Sequence, residues 1–261
     1  AICGTANDVA VSGATPRWLS CGFILEEGLP LETLERVVTS MAATAKAAGI
    51  AVVTGDTKVV QRGAADKLFI NTAGIGAIPV GLNWGTQQIG VGDVLIVSGT
   101  LGDHGATILN LRESLGLEGA LISDCAVLAP LIAPLLNIPG VKALRDATRG
   151  GVNAVLHEFA ASCGCGMEVA ESQLPLNPAV RGVCELLGLD ALNFANEGKL
   201  VIAVARDAAE SVLAALQAHP LGQNAAIIGD VVERKGVRVA GLYGVKRTLD
   251  LPHSEPLPRI C

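Results

Sequence analysis

Val141-Lys-Ala-Leu-Arg-Asp-Ala-Thr-Arg-Gly-Gly151 is the stretch from which the fold class can be read. Apolar Val141–Leu144 predicts a strand, and helical spacing predicts a helix from about Gly151 to Ser162. The turn between them carries the carboxylate of Asp146 and delivers the backbone of Thr148, Gly150 and Gly151 to a helix N-terminus, where N–H groups and the helix dipole favour an anion. A second strand–loop–helix lies upstream. Val94-Leu-Ile-Val-Ser98 is a continuous apolar run, as in a strand buried on both faces, and Ser98-Gly-Thr-Leu-Gly-Asp-His-Gly105 leads from it into a helix through Leu111. Strands that alternate with helices in this way predict an α/β fold.

Working outward, the sequence predicts a strand near Trp18–Leu25, a helix over Leu31–Ala48, and strands at Ala51–Thr54 and Leu68–Ala73. Gly74–Gly92, rich in glycine and proline, is the expected boundary between two domains. Beyond it, helices are expected at Cys125–Leu136 and from Asp207, read as an N-cap with Glu210, to His219. Strands are expected at Met167–Ala170, Leu200–Ala205, Ala226–Val232, Val237–Leu242 and Lys246–Leu251. The expected domains are 1–80, 81–250, and a tail over 251–261 that ends in Cys261. Ala1–Val11 reads like the middle of a helix with no cap before it, so the first domain is expected to be partial. A sheet edge or face of that domain is expected to be left for an upstream strand or a second subunit to cover.

Composition narrows the function. Nineteen basic against twenty-five acidic residues give a net charge of −6, and aromatics are 3%. Nucleic-acid binding asks for basic stripes and stacking platforms, so that class is set aside. No apolar run approaches the ~18 residues of a membrane span, and no secretory signal is read. The seven cysteines are odd in number and scattered, which fits thiols in a reducing cytoplasm. Cys163-Gly-Cys165 lacks the spacing of a zinc or redox pair.

Four acidic positions stand in polar or glycine-flanked contexts: Asn7-Asp8, Gly55-Asp-Thr-Lys58, Asp146 in the turn quoted above, and Asn196-Glu-Gly-Lys199. Aspartate and glycine are also the ordinary residues of turns. Asp8, Asp56 and Asp146 supply the hard oxygens that Mg²⁺ takes. The Gly99–Gly105 loop lacks the Gly-Lys-Ser/Thr ending of a P-loop and is read as a tight loop with His104 exposed. The chain ends Pro256-Leu-Pro-Arg-Ile-Cys261, which places a thiol on an extended tail. From Asp250 such a tail reaches about 35 Å when fully extended.

Together, Cys3-Gly-Thr-Ala-Asn-Asp-Val-Ala, Gly55-Asp-Thr-Lys58, Gly102-Asp-His-Gly105, Arg145-Asp-Ala-Thr-Arg-Gly-Gly151, Asn196-Glu-Gly-Lys199 and the terminal Pro258-Arg-Ile-Cys261 resemble the HypE family of hydrogenase maturation proteins. That family belongs to the AIR-synthetase-like (PurM-like) superfamily. The resemblance runs from the first residue to the last, and the terminal cysteine tail is its most specific element. It implies a two-domain PurM-like α/β fold, with the family's N-terminal glycine-rich segment absent here. It also implies ATP and Mg²⁺, and a carbamoyl group carried on Cys261 that is dehydrated from a thiocarbamate to a thiocyanate. In that reading Glu197 is the base and Lys58 the cation. Asp8, Asp56 and Asp146 hold metal, and Asn7, Thr57, Thr148, Gly150, Gly151 and Asn196 complete the nucleotide site. The implied partners are a second copy of the chain, the carbamoyltransferase HypF and the HypC–HypD iron scaffold. Two other readings stay open: another ATP-dependent phosphotransfer enzyme of the superfamily, and a binding module that only presents Cys261.

Overall fold

The structure is a computed structural model and describes residues 1–117, 121–241 and 243–252. Expectations that concern Cys261 and the tail from residue 253 lie outside these residues. The chain divides into two compact units, Ala1–Gly81 with Val127–Ala129, and Leu82–Ala126 with the chain from Pro130 onward.

In the first unit, helix α1 (Ile2–Val11) leads to strand β1 (Thr15–Glu26), helix α2 (Leu31–Ala47) and strands β2 (Ala51–Val60) and β3 (Leu68–Ala77). The sheet order is β2-β1-β3, with β1 parallel to β2 and antiparallel to β3. Side chains alternate across a strand. Leu19 therefore joins Ile2 and Ala6 of α1, Ala45 of α2 and Ile50 in a small apolar core. The next residues on the opposite face stay open: Trp18 pairs with Ile75 and Ile24 with Phe69, and all four are exposed. Val127–Ala129 returns to this unit, and the Leu128 N–H donates to Asn7 Oδ1 at 2.8 Å.

The second unit contains β4 (Val94–Val97), α3 (Asp103–Glu113), β5 (Val141–Asp146), α5 (Gly151–Cys163), β6 (Gly166–Ala170), α6 (Pro178–Leu187), β7 (Leu200–Val204), α7 (Ala209–Gln217), β8 (Ala226–Val232), β9 (Gly236–Ala240) and β10 (Lys246–Thr248), with the short α4 (Ala129–Ile132) before β5. Its sheet runs β10-β9-β6-β8-β4-β7-β5; β6 and β9 are parallel, and the remaining pairs are antiparallel. Every residue of β4 and β7 is buried, as their unbroken apolar runs require. Val152, Val155, Leu156 and Phe159 of α5 pack on Leu95, Val97, Val201 and Met167 to form the main core.

Several expectations need correction. The helix predicted over Cys125–Leu136 is only α4 followed by a 3-10 stretch, Ala133–Asn137. Pro134 has no N–H for the bond back to the fourth preceding carbonyl. Asp207 caps nothing, because α7 starts at Ala209 after a 3-10 turn and its N-cap is Ala208. β2 does not stop at Thr54 but continues through Gly55-Asp56-Thr57-Lys58, and β3 continues through Gly74 to Ala77. Helix α6, with Pro178 at its first turn and Gly188 in the left-handed conformation at its end, was not anticipated.

Candidate functional site

Three loops of the second unit meet at the buried side chain of Asn196. Its Oδ1 accepts from the Gly102 N–H at 2.8 Å, and its Nδ2 donates to the carbonyls of Ala147 and Phe194, both at 3.0 Å. The backbone repeats the stitching, since the Asn196 N–H donates to Ala147 O and the Ala147 N–H to Lys199 O. Asn196 therefore joins the glycine loop after β4, the turn after β5 and the loop before β7. With all three of these bonds made to protein backbone, it acts as a scaffold rather than as an open ligand-binding amide.

Gly151 opens α5 with φ +62°, and a Cβ there would lie 2.4 Å from Phe194 O, so only glycine permits this approach. Asp146, at the end of β5, is buried, with the Arg145 guanidinium 4.0 Å from its Oδ1. Thr148, Gly150 and Gly151 follow at the N-terminus of α5, where the Gly151 N–H closes a turn on Thr148 O at 3.0 Å and the helix dipole favours an anion. A buried carboxylate beside such a helix end suits a metal-bridged polyphosphate. Asp103 is already engaged inside the protein by Thr100 and Asn177.

The segment Ser123–Ala126 lies against the loop that carries Glu197. Asp124, whose side chain is 3% exposed, accepts the Glu197 N–H on Oδ1 at 3.0 Å and faces Lys199 Nζ with Oδ2 at 3.5 Å. Ser123 Oγ lies 2.8 Å from His104 Nδ1. His104 was expected to be exposed, and this is corrected: it is buried, because α3 begins at Asp103 and turns the ring inward. Its Nε2 is buried without a hydrogen-bond partner. Burial pushes the imidazole below its ordinary pKa, and the charge of Asp124 partly opposes that.

The remaining predicted residues belong to the first unit. Asn7 is buried and bonded to Leu128, while Asp8 is exposed on α1. Asp56 and Lys58 stand opposite Gly22 and Ile24 of β1 and line a concavity of about 460 Å³ on the open sheet face with Phe69 and Asn71. Helix α1, with Asp8, packs on the other face through Thr5 and Val9 against Thr72, Gly74 and Gly76. Asp56 Oδ1 accepts the Thr57 N–H at 2.8 Å. Among the described residues, no three His, Cys, Asp or Glu side chains are grouped so as to hold a metal ion, and no helix is long and apolar enough to cross a membrane.

The structure thus draws Asn196, Glu197, Asp146, Thr148, Gly150 and Gly151 into one set of loops, with His104 behind them. Asp124 and Lys199 were missed as members of this set. Asp124 sits in the mostly apolar stretch Leu121-Ile-Ser-Asp-Cys-Ala-Val-Leu128 with no motif around it, and its contacts with Glu197 and Lys199 are what mark it out.

The chain resembles known proteins along its whole length. Residues 1–78 match the N-terminal domain of AIR synthase related proteins and residues 90–241 match their C-terminal domain. The carbamoyl dehydratase HypE of Escherichia coli K12 is 81% identical over 261 residues, covering 100% of this chain and 78% of that protein. A crystal structure of the hydrogenase maturation protein HypE in complex with ATP matches with a TM-score of 0.94 at 44% identity, covering 98% of this chain and 79% of the other. A HypE–HypF complex matches with a TM-score of 0.94 at 44% identity, covering 97% and 83%.

Proposed function

The chain belongs to the HypE family of carbamoyl dehydratases, and from that premise we propose that it converts a carbamoyl group on the sulfur of Cys261 into a thiocyanate. The overall change is S–C(=O)–NH₂ to S–C≡N. The carbonyl oxygen leaves and two protons depart from nitrogen. ATP, when bound, supplies the phosphoryl group that turns this oxygen into a good leaving group. The chain must take up the nitrogen protons and balance the charge that develops as the C–O bond breaks.

We assign the proton-accepting role to Glu197 and that of the cation to Lys58. Asp8 and Asp146 are the proposed Mg²⁺ ligands, with Thr57, Thr148, Gly150 and Gly151 toward the nucleotide. Asp56 is set aside, because it stands on the face of the β2-β1-β3 sheet opposite α1 and does not share an ion with Asp8. The buried Asn7 is set aside because it holds the Leu128 N–H. The observation that carries this reading is the stitched loop set of the second unit, which fixes Glu197 close in structure to the α5 N-terminus through Asn196 and Ala147. Such pre-organisation is what a positioned base requires. Cyanide is then passed to iron on a HypC–HypD scaffold, and carbamoyl is received from HypF. A second copy of the chain covers the open face of the β2-β1-β3 sheet, where Trp18, Ile24, Phe69 and Ile75 are exposed. We place the chain in the cytoplasm on the odd number and scatter of its seven cysteines.

The test is the mass of the C-terminal peptide of carbamoylated protein before and after ATP. The expected result is loss of one water equivalent, at wild-type Glu197 only. Unchanged turnover in Glu197→Gln would end the assignment of the base.

A further inference from the structure

Asp124 is engaged by two residues of the loop that carries Glu197. Its Oδ1 accepts the Glu197 N–H at 3.0 Å, and its Oδ2, buried and without a hydrogen bond, faces Lys199 Nζ at 3.5 Å. The side chains are 3% and 10% exposed, so this pair lies out of bulk water. Between its two contacts, Gly198 is pressed on the backbone of Asp124, where a Cβ would lie 2.0 Å from the Asp124 carbonyl oxygen. Ser123 carries the contact onward to His104.

A buried carboxylate is costly unless it is paired, and an ionised acceptor makes a stronger hydrogen bond than a neutral one. Three consecutive residues are therefore held from one side: Glu197 by its N–H, Gly198 by close packing, and Lys199 by its charge. That leaves the Glu197 peptide little freedom to turn.

We infer that Asp124 is a positioning residue for the dehydration, fixing the backbone of Glu197 so that its carboxylate meets the nitrogen protons of the carbamoyl group. This deepens the assignment of Glu197 as the base and rests on it. Asp124 does not touch the substrate. It acts through the Glu197 N–H, and Lys199 balances its charge.

The experiment is single-turnover thiocyanate formation in full-length carbamoylated protein, comparing wild type, Asp124→Ala, Asp124→Asn and Glu197→Gln. Misplacing a reacting group by ~1 Å can cost on the order of 100-fold in rate. Asp124→Ala should lower the rate constant by about that factor with the KM for ATP unchanged, and Asp124→Asn, which keeps the acceptor, should recover ~10-fold or more of the loss. A loss of folded protein alone would lower the amplitude of the single turnover and leave its rate constant unchanged. Should Asp124→Ala fail to fold, Asp124→Leu, which fills the volume without an acceptor, takes its place. Wild-type turnover in the folded Ala or Leu variant, beside an inactive Glu197→Gln, overturns the positioning role and leaves the base intact. An Asn variant as slow as Ala also overturns it. An active Glu197→Gln overturns the base itself, and the inference falls with it.

Discussion

Asn196 and Gly102 are joined by a buried 2.8 Å hydrogen bond across ninety-four positions of sequence. The bond fixes the N-cap of α3, where Gly102 sits in the left-handed region with φ +81°, to the loop that precedes β7. Asn196→Ala leaves the buried Gly102 N–H unsatisfied, at a cost of about 1–3 kcal/mol. Denaturant unfolding measures it. Asn196→Asp, which sets a carboxylate oxygen against the Ala147 and Phe194 carbonyls in place of the amide donor, should lose at least as much, and a smaller loss in the Asp variant would count against this account.

Gly198→Ala should disturb the Glu197 turn without touching any side chain, because the added Cβ meets the Asp124 carbonyl oxygen at 2.0 Å and neither backbone can move freely. Overpacking of this kind costs about 1–3 kcal/mol. Thiocyanate formation should fall by more than the loss of folded protein explains. Activity in proportion to the folded fraction would show that the turn tolerates the shift.

His104 makes stability depend on pH. Burial lowers its pKa in the folded state, so below the ordinary value of 6.5 the unfolded chain binds the proton first. Stability is therefore complete above that value and falls as pH falls toward the lower folded pKa. Melting temperature recorded from pH 7.5 down to 5 should decline more steeply in wild type than in His104→Gln. Parallel curves would remove His104 as the source.

Cys261→Ala should abolish thiocyanate formation, because the sulfur that carries the carbamoyl group is removed. Cys261→Ser should fail as well, because a hydroxyl is far less ionised than a thiol. Mass spectrometry of the C-terminal peptide decides both. A fully active Ala variant would refute the carrier role.

The sequence made some of this legible and hid the rest for physical reasons. Strand β4 follows directly from its apolar run, all four of its residues being buried. Helix α2 follows from its periodicity, although Ala45 is the one fully buried residue of its apolar face and Leu31 and Val38 stay exposed. Gly55-Asp56 looked like a turn but lies within β2. A Cβ at Gly55 would stand 2.6 Å from Cys21 O, so this glycine serves close strand contact instead of a bend. Helix α6 announced itself only through Pro178 and Gly188, with Val180 and Val183 as its buried positions between them. Asp146 and Asn196 were visible as polar residues at loop ends. Asp124 was not, since its partners Glu197 and Lys199 are brought to it by the fold alone.

The return of Val127–Ala129 to the first unit sets an order of events during synthesis. Although α1 through β3 are complete by Ala77, the Asn7 Oδ1 bond waits for the Leu128 N–H. At the ~5–20 residues per second of translation, that interval lasts seconds, during which the second unit has begun to emerge. The opening helix is thus fastened by a segment translated well after it, and a nascent chain stalled before residue 128 would hold its first unit unfinished.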